Sequence, residues 1–262
     1  MRRFDNVLFD MDGTLLDSGP GITKSVRQAL ASVGIAEDNV KNLERFTGPP
    51  LSTSFREFYG LQGEQILRAV TSFRARYETV GIFESALYPG IEETLRACKE
   101  AGVRLAVASS KPEVFVKQIL EHFQIAQYFD VAAGSALERE MSGKVVPSDK
   151  EEIVRTALAG LWEAGQSGAT LAGLGETGQS DAALAGLGEA GQSDAALRHF
   201  GERTAMVGDR KFDVDGARAN GVHPVGVAFG YGSREELTAA GAEFIADDEA
   251  SLTRYLLGME ME

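Results

Sequence analysis

Apolar residues gather into short blocks along this chain, and between the blocks they recur at helical spacing. Val7-Leu8-Phe9 is the first block. Val103 to Ala108, Tyr128 to Ala133, Thr204 to Val207 and Val222 to Phe229 follow, with Phe244-Ile245 as a short sixth. Unbroken apolar blocks read as strands covered on both faces. Helical periods lie between them: Ile91, Leu95 and Cys98 up to Gly102, then Val116, Ile119, Leu120 and Phe123, then a helix opened by Lys150 with Ile153, Val154, Ala157 and Leu158. Strand and helix in alternation after residue 86 predict a parallel α/β sheet with right-handed crossovers.

Residues 17–86 break that alternation. Gly19-Pro20-Gly21 reads as a chain break, and Ile22, Val26, Leu30 and Val33 then mark a helix ended by Gly34. From Glu37 to Glu84 nothing reads as a strand, and Phe55, Phe58, Leu67, Val70, Phe73 and Tyr77 fit one apolar helical seam. The stretch is expected to form a helical cap inserted into a core made of residues 1–16 and 87–262. Arg45 and Gly48-Pro49-Pro50 form a loop in it, either facing substrate or simply joining two helices.

A second oddity is a tandem repeat. Leu158 to Thr170, Leu171 to Ala183 and Leu184 to Ala196 are three copies of one 13-residue unit. At about 100° per residue the unit would turn by roughly 220°, so successive leucines would not share a helix face. The glycines in each copy also weaken a helix. Residues 158–196 therefore read as an insert in the core, mobile or built of short helical pieces.

Composition narrows the function. The chain has 262 residues, 44% of them hydrophobic, which is enough for a sizeable core. A net charge of −13 argues against nucleic acid or an anionic membrane as partner. Any site for an anionic substrate must then be built locally from a metal, lysine and backbone N–H groups. Cys98 is the only cysteine, so no intramolecular disulfide forms, and a reducing cytoplasm is expected. No signal peptide or 18-residue apolar span is read.

The chemistry gathers at strand ends. Asp10 and Asp12 follow the first strand directly and turn at Gly13; so close a pair calls for a cation or a shared proton, and Mg²⁺ fits best. Ser109, Ser110 and Lys111 end the second strong strand, and Asp209 ends the fourth, with Asp213 four residues on. A parallel sheet puts all these ends, and the start of the Lys150 helix, on one rim. For phosphoryl transfer, the reaction that the resemblance described next implies, the expected roles are as follows. Asp10 attacks phosphorus. Mg²⁺ is held by Asp10, the Asp12 carbonyl oxygen and Asp209. Asp12 protonates the leaving oxygen and then deprotonates water. Ser109 and N–H groups near Asp12 and Ser110 hold the phosphoryl oxygens, Lys150 anchors the phosphate, and Asp213 orients Lys150 or a metal-bound water. Lys111 either touches the phosphate or is solvated.

The run DMDGT at 10–14, Ser109 after VAVA, Lys150, and GDRKFD at 208–213 resemble the four motifs of the haloacid-dehalogenase superfamily. Similarity extends through AVASSKP, MVGDRKFDVDGA and GVAFGYGSREEL to the phosphoglycolate phosphatase and 5′-nucleotidase-like branch. The resemblance implies a Rossmann-like doubly wound parallel sheet with a helical cap, and a Mg²⁺-dependent phosphatase. Its substrate would be a small phosphorylated metabolite such as phosphoglycolate or a nucleoside monophosphate. Serine stands where that branch more often has threonine, and Lys144 competes with Lys150 for the third motif. A phosphosugar mutase of the same fold, or a non-catalytic protein that recruits partners through the repeat, are the other readings. The chain is expected to act as a monomer or homodimer.

Overall fold

The computed structural model describes residues 2–137, 148–167 and 197–260. Six parallel strands form the main sheet: β1 (Asn6–Phe9), β4 (Arg104–Pro112), β5 (Val131–Ser135), β6 (Thr204–Gly208), β7 (His223–Val227) and β8 (Phe244–Ala246). Their order is β5-β4-β1-β6-β7-β8, so β1 lies between the two halves where the direction of crossover reverses. That point is where open α/β sheets bind ligands.

Side chains of β1 alternate between two apolar clusters. Val7 and Phe9 join one cluster together with Leu95 of α5 (Ile91–Glu100), Val116 and Ile119 of α6 (Glu113–His122) and Leu252 of α9 (Glu249–Leu257). Leu8 joins the other, with Ile153, Val154, Ala157 and Leu158 of α7 (Lys150–Ser167) and Ala217 of α8 (Lys211–Ala219). Helices on both faces explain why the strands carry no polar alternation. Cys98 is wholly buried in the first cluster, and burial pushes its thiol up to about 12, as suits packing.

The residues between β1 and α5 fold mainly as helices: α1 (Gly19–Ser32), α2 (Val40–Glu44), α3 (Leu51–Tyr59) and α4 (Glu64–Tyr77). They contain no strand between Glu37 and Glu84. Two details differ from the sequence reading. Gly19-Pro20-Gly21 does not break the chain but forms the first turn of α1. Proline is tolerated there because a first-turn N–H has no intrahelical partner. A short antiparallel pair, β2 (Leu16–Asp17) with β3 (Ala86–Leu87), also joins this lobe to the sheet; two-residue strands leave no periodic trace.

Elsewhere the third strand begins later than read, at Val131, after a 3₁₀ turn over Ala126–Tyr128. Asp130 explains the shift: its carboxylate accepts the Leu105 N–H at 2.9 Å and pairs with Lys99 at 3.0 Å. The first repeat copy is not a loose insert, since residues 158–167 continue α7 and bury Leu158 and Leu161. The later copies lie outside the described residues, as does Lys144.

The described residues that flank the later copies lie at the end of the sheet away from the carboxylates. Trp162 of α7 meets Phe200 at 5.4 Å, and the guanidinium of Arg104, the first residue of β4, lies 5.0 Å from the same ring. The flanking chain ends are therefore near neighbours. Deleting residues 171–196 should leave phosphate-ester turnover within about twofold of the parent, because surface insertions far from a site cost little. A soluble, folded deletion protein without turnover would contradict this.

Candidate active site

Register across the sheet sets the site. Phe9 of β1 pairs with Val107 of β4 on one side and Val207 of β6 on the other. Asp10 is the next residue, and its N–H donates to Val207 O at 2.8 Å. Ser109 and Asp209 lie two residues beyond those partners, so both strand ends flank Asp10. α7 begins with Lys150, whose Nζ lies 2.7 Å from Asp10 Oδ1 and 2.7 Å from Asp213 Oδ1 and donates to Ala108 O at 3.0 Å.

Asp10, Asp209 and Asp213 are all buried, and each offers an oxygen within 4.8 Å of the others. Three carboxylates around one ammonium leave the cluster short of positive charge. Burial, with the charges of Asp213 and Asp12 adding to it and Lys150 working against it, raises Asp10 to about 6. Burial and the charges of Asp213 and Asp10 raise Asp209 well above the usual carboxylate range. Burial opposes the charge on Lys150, but Asp10 and Asp213 outweigh it and raise its pKa. Asp209 Oδ2 accepts the N–H groups of Tyr231 at 2.7 Å and Gly232 at 3.3 Å, while buried Oδ1 has no hydrogen-bond partner among the described residues. An all-oxygen donor set with surplus negative charge and an unmatched buried oxygen fits a hard divalent cation.

Gly13 lets this happen. Its φ is +89°, and a Cβ there would lie 2.2 Å from Asp209 Oδ2. Replacing Gly13 with alanine must displace either the turn carrying Asp12 or the carboxylate of Asp209. Misplacement on the ångström scale costs about a hundredfold in rate, so Gly13→Ala should lose about that much kcat with the fold retained by circular dichroism.

Asp12 has a separate partner: Lys111 Nζ lies 3.0 Å from Asp12 Oδ2. Lys111 is not solvated; it is buried and also donates to the Tyr77 hydroxyl from α4. Burial opposes its charge, yet Asp12 and Tyr77 raise its pKa overall. Ser109 is buried beside it, with Oγ accepting the Lys111 N–H at 3.4 Å, and the Ser110 carbonyl accepts from Ser135 Oγ at 2.9 Å.

The helical lobe roofs this cleft with Phe46, Pro49, Pro50, Phe73, Arg74 and Tyr77. Arg45 does not line it. Its guanidinium lies 3.8 Å above the Phe58 ring on the lobe's exposed side, where the cation–π contact holds it. Two cleft residues escaped the sequence reading. Arg74 is buried against the rings of Phe73, Tyr77 and Phe115. Arg210 donates to Thr47 O at 2.7 Å and pairs with Glu236 at 3.0 Å, tying roof to sheet. Its position beside Asp209 was the available signal; for Arg74, inside an apolar helical seam, there was none. Tyr231, whose N–H holds Asp209, reaches with its hydroxyl to the Asp17 carboxylate and accepts the Gly19 N–H. His122, His199 and His223 lie outside the cleft lining.

A family model described as haloacid dehalogenase-like hydrolase matches residues 7–141, and one described as HAD-hydrolase-like matches 176–252. A 5′-nucleotidase of Pseudomonas aeruginosa is 35% identical over 254 residues, covering 97% of this chain and 96% of that protein. A phosphoglycolate phosphatase of Vibrio vulnificus is 30% identical over 260 residues, covering 96% and 95%. The tyrosine-protein kinase PtkA of Mycobacterium tuberculosis is 35% identical over 226 residues, covering 86% of this chain and 62% of its own. Among solved structures, a predicted phosphatase from Clostridium acetobutylicum superposes with a TM-score of 0.75 at 36% identity, covering 98% and 99%. With those matches over nearly its whole length, the chain belongs to the haloacid dehalogenase-like hydrolases and is a phosphoric monoester hydrolase of that family.

Proposed function

We propose that this protein is a cytoplasmic Mg²⁺-dependent phosphatase that cleaves a small phosphomonoester through an aspartyl-phosphate on Asp10. The observation that carries the reading is the division of the two neighbouring carboxylates between two lysines. Asp10 is held by Lys150 within the acidic cluster, and Asp12 is held by Lys111 at the cleft. One carboxylate is thereby set apart for attack and the other for proton transfer.

Mg²⁺ held by Asp10, Asp209 and the Asp12 carbonyl oxygen, with Asp213 beside them orienting Lys150, would offset charge on the phosphoryl oxygens. Lys150 fixes Asp10 through Oδ1, leaving its other oxygen to attack phosphorus. Ser109 and the backbone N–H groups at the ends of β1 and β4 would hold the phosphoryl oxygens. Asp12 delivers a proton to the departing alkoxide and later takes one from the water that opens the acyl phosphate. The apolar roof excludes other water.

Size points to the substrate. With the roof in place the half-open cleft offers about 70 Å³. At ~15 Å³ per water position, that is space for roughly five waters. A phosphoglycolate-sized ester fits within that space, while a nucleoside 5′-monophosphate would extend out of the open side and leave much of its surface uncovered. Phosphate release should therefore show a kcat/KM at least about tenfold higher for phosphoglycolate than for nucleoside 5′-monophosphates, with both rates lost on chelation. Isomer formation without phosphate release would favour the phosphosugar mutase instead.

A further inference from the structure

We propose that Tyr77, on the roof, is a positioning residue for Asp12, acting through Lys111. The inference rests on the mechanism above, in which Asp12 moves the proton.

Three residues from separate parts of the chain form one line. Tyr77 ends α4, Lys111 lies near the end of β4, and Asp12 follows β1. Tyr77 is 2% exposed, and its hydroxyl accepts from Lys111 Nζ. The same Nζ lies 3.0 Å from Asp12 Oδ2 and 4.6 Å from the centre of the Tyr77 ring. Asp12 Oδ1 is buried, faces no hydrogen-bond donor among the described residues, and belongs to a side chain that lines the cleft. One oxygen of Asp12 is thus fixed while the other is left for the leaving group or for water.

A lysine side chain has four rotatable bonds and sheds much entropy when held. Lys111 is held at its tip by two groups, one on the sheet and one on the roof. The Tyr77 ring itself is locked, stacked on Phe73 at 5.2 Å and edge-on to Phe115 at 6.3 Å. Lifting α4 removes the hydroxyl and frees the ammonium. Asp12 is then aimed only while the roof is down, so proton transfer waits for closure, in the way lids complete a catalytic set.

The test uses Tyr77→Phe, which keeps the ring and removes only the hydroxyl, with the intact protein and saturating Mg²⁺. With p-nitrophenyl phosphate, whose leaving group needs little protonation, first-turnover release of nitrophenolate should stay within about twofold. Steady-state kcat for both that ester and phosphoglycolate should fall about tenfold; for p-nitrophenyl phosphate KM should fall with it, because phosphoenzyme accumulates, and kcat/KM should stay within about twofold. Lys111→Met should show the same split, and the double variant should be no slower than Lys111→Met alone, because one line of contacts carries the effect. A rise in KM with kcat intact, an equal loss in the first turnover, or additive losses would each overturn the proposal. Should the parent protein hydrolyse neither ester, the mechanism itself fails; should the parent be active and Tyr77→Phe match it, only the positioning role fails.

Discussion

Asp10→Asn should abolish phosphate-ester turnover, with a fall in kcat of at least about a thousandfold and no trapped phosphoenzyme. An amide is too weak a nucleophile to attack phosphorus, and no other described carboxylate can replace it. Asp213 is fixed by Lys150 and the Arg210 N–H, and Asp209 by the N–H groups of Tyr231 and Gly232. The variant should fold. Asp10 sits in a site that penalises its charge, and asparagine keeps its shape without adding to the repulsion with Asp209 and Asp213. Quenched-flow capture of a labelled phosphoenzyme from the parent, absent from the variant, checks the covalent step. A variant retaining more than a few per cent of parental kcat would reject Asp10 as the nucleophile.

The second large effect concerns stability, pH and the cation together. Asp10 is raised to about 6 from 3.8. Between those values the folded protein keeps a proton that the unfolded chain has lost. Stability therefore falls as pH rises through that window, is unpenalised below it and carries the full penalty above it. At 1.36 kcal/mol per unit the loss is on the order of 3 kcal/mol, and Asp209 shifts the same way. Asp5, lowered to about 2 by its bond to Arg203, has the opposite sign but is spent below pH 4. In a chelator, the melting temperature should drop by roughly 3–5 °C between pH 5 and pH 7, because about one unit of the Asp10 shift falls in that interval. Mg²⁺ binds the ionised folded cluster, so excess Mg²⁺ should remove the drop at pH 7 and do little at pH 5. Asp209→Asn should flatten both responses. A melting temperature indifferent to Mg²⁺ at pH 7 would count against the cation site.

Much of this was legible in the chain itself. Strand blocks such as Val7-Leu8-Phe9 showed because both faces of the sheet are covered. The rim residues followed because a parallel sheet aligns its strand ends, whatever their separation in sequence. Lys150 could be placed because an apolar pair follows it on its own helix. What stayed hidden depended on packing. The hinge pair at Leu16–Asp17 is too short for a period, and Gly19-Pro20-Gly21 looks like a break unless a helix start is already known. Whether Lys111 touches the phosphate or is solvated could not be decided from sequence, because only the fold brings Asp12 and Tyr77 to it. Arg45 stayed open between a substrate contact and a plain helix connection, because a cationic residue beside Gly48-Pro49-Pro50 says nothing about which way it points. Tyr77 hid within an apolar seam to which it also belongs.

Tyr231 has a wider consequence. Its peptide nitrogen steadies the Asp209 carboxylate, and its phenol grips Asp17 and Gly19, where the roof begins. Pivot and anchor thus share one residue, so a swing of the roof would be felt at the proposed ion site. An ion loaded there would stiffen the pivot, and product release by a swing would tug on that ion's support.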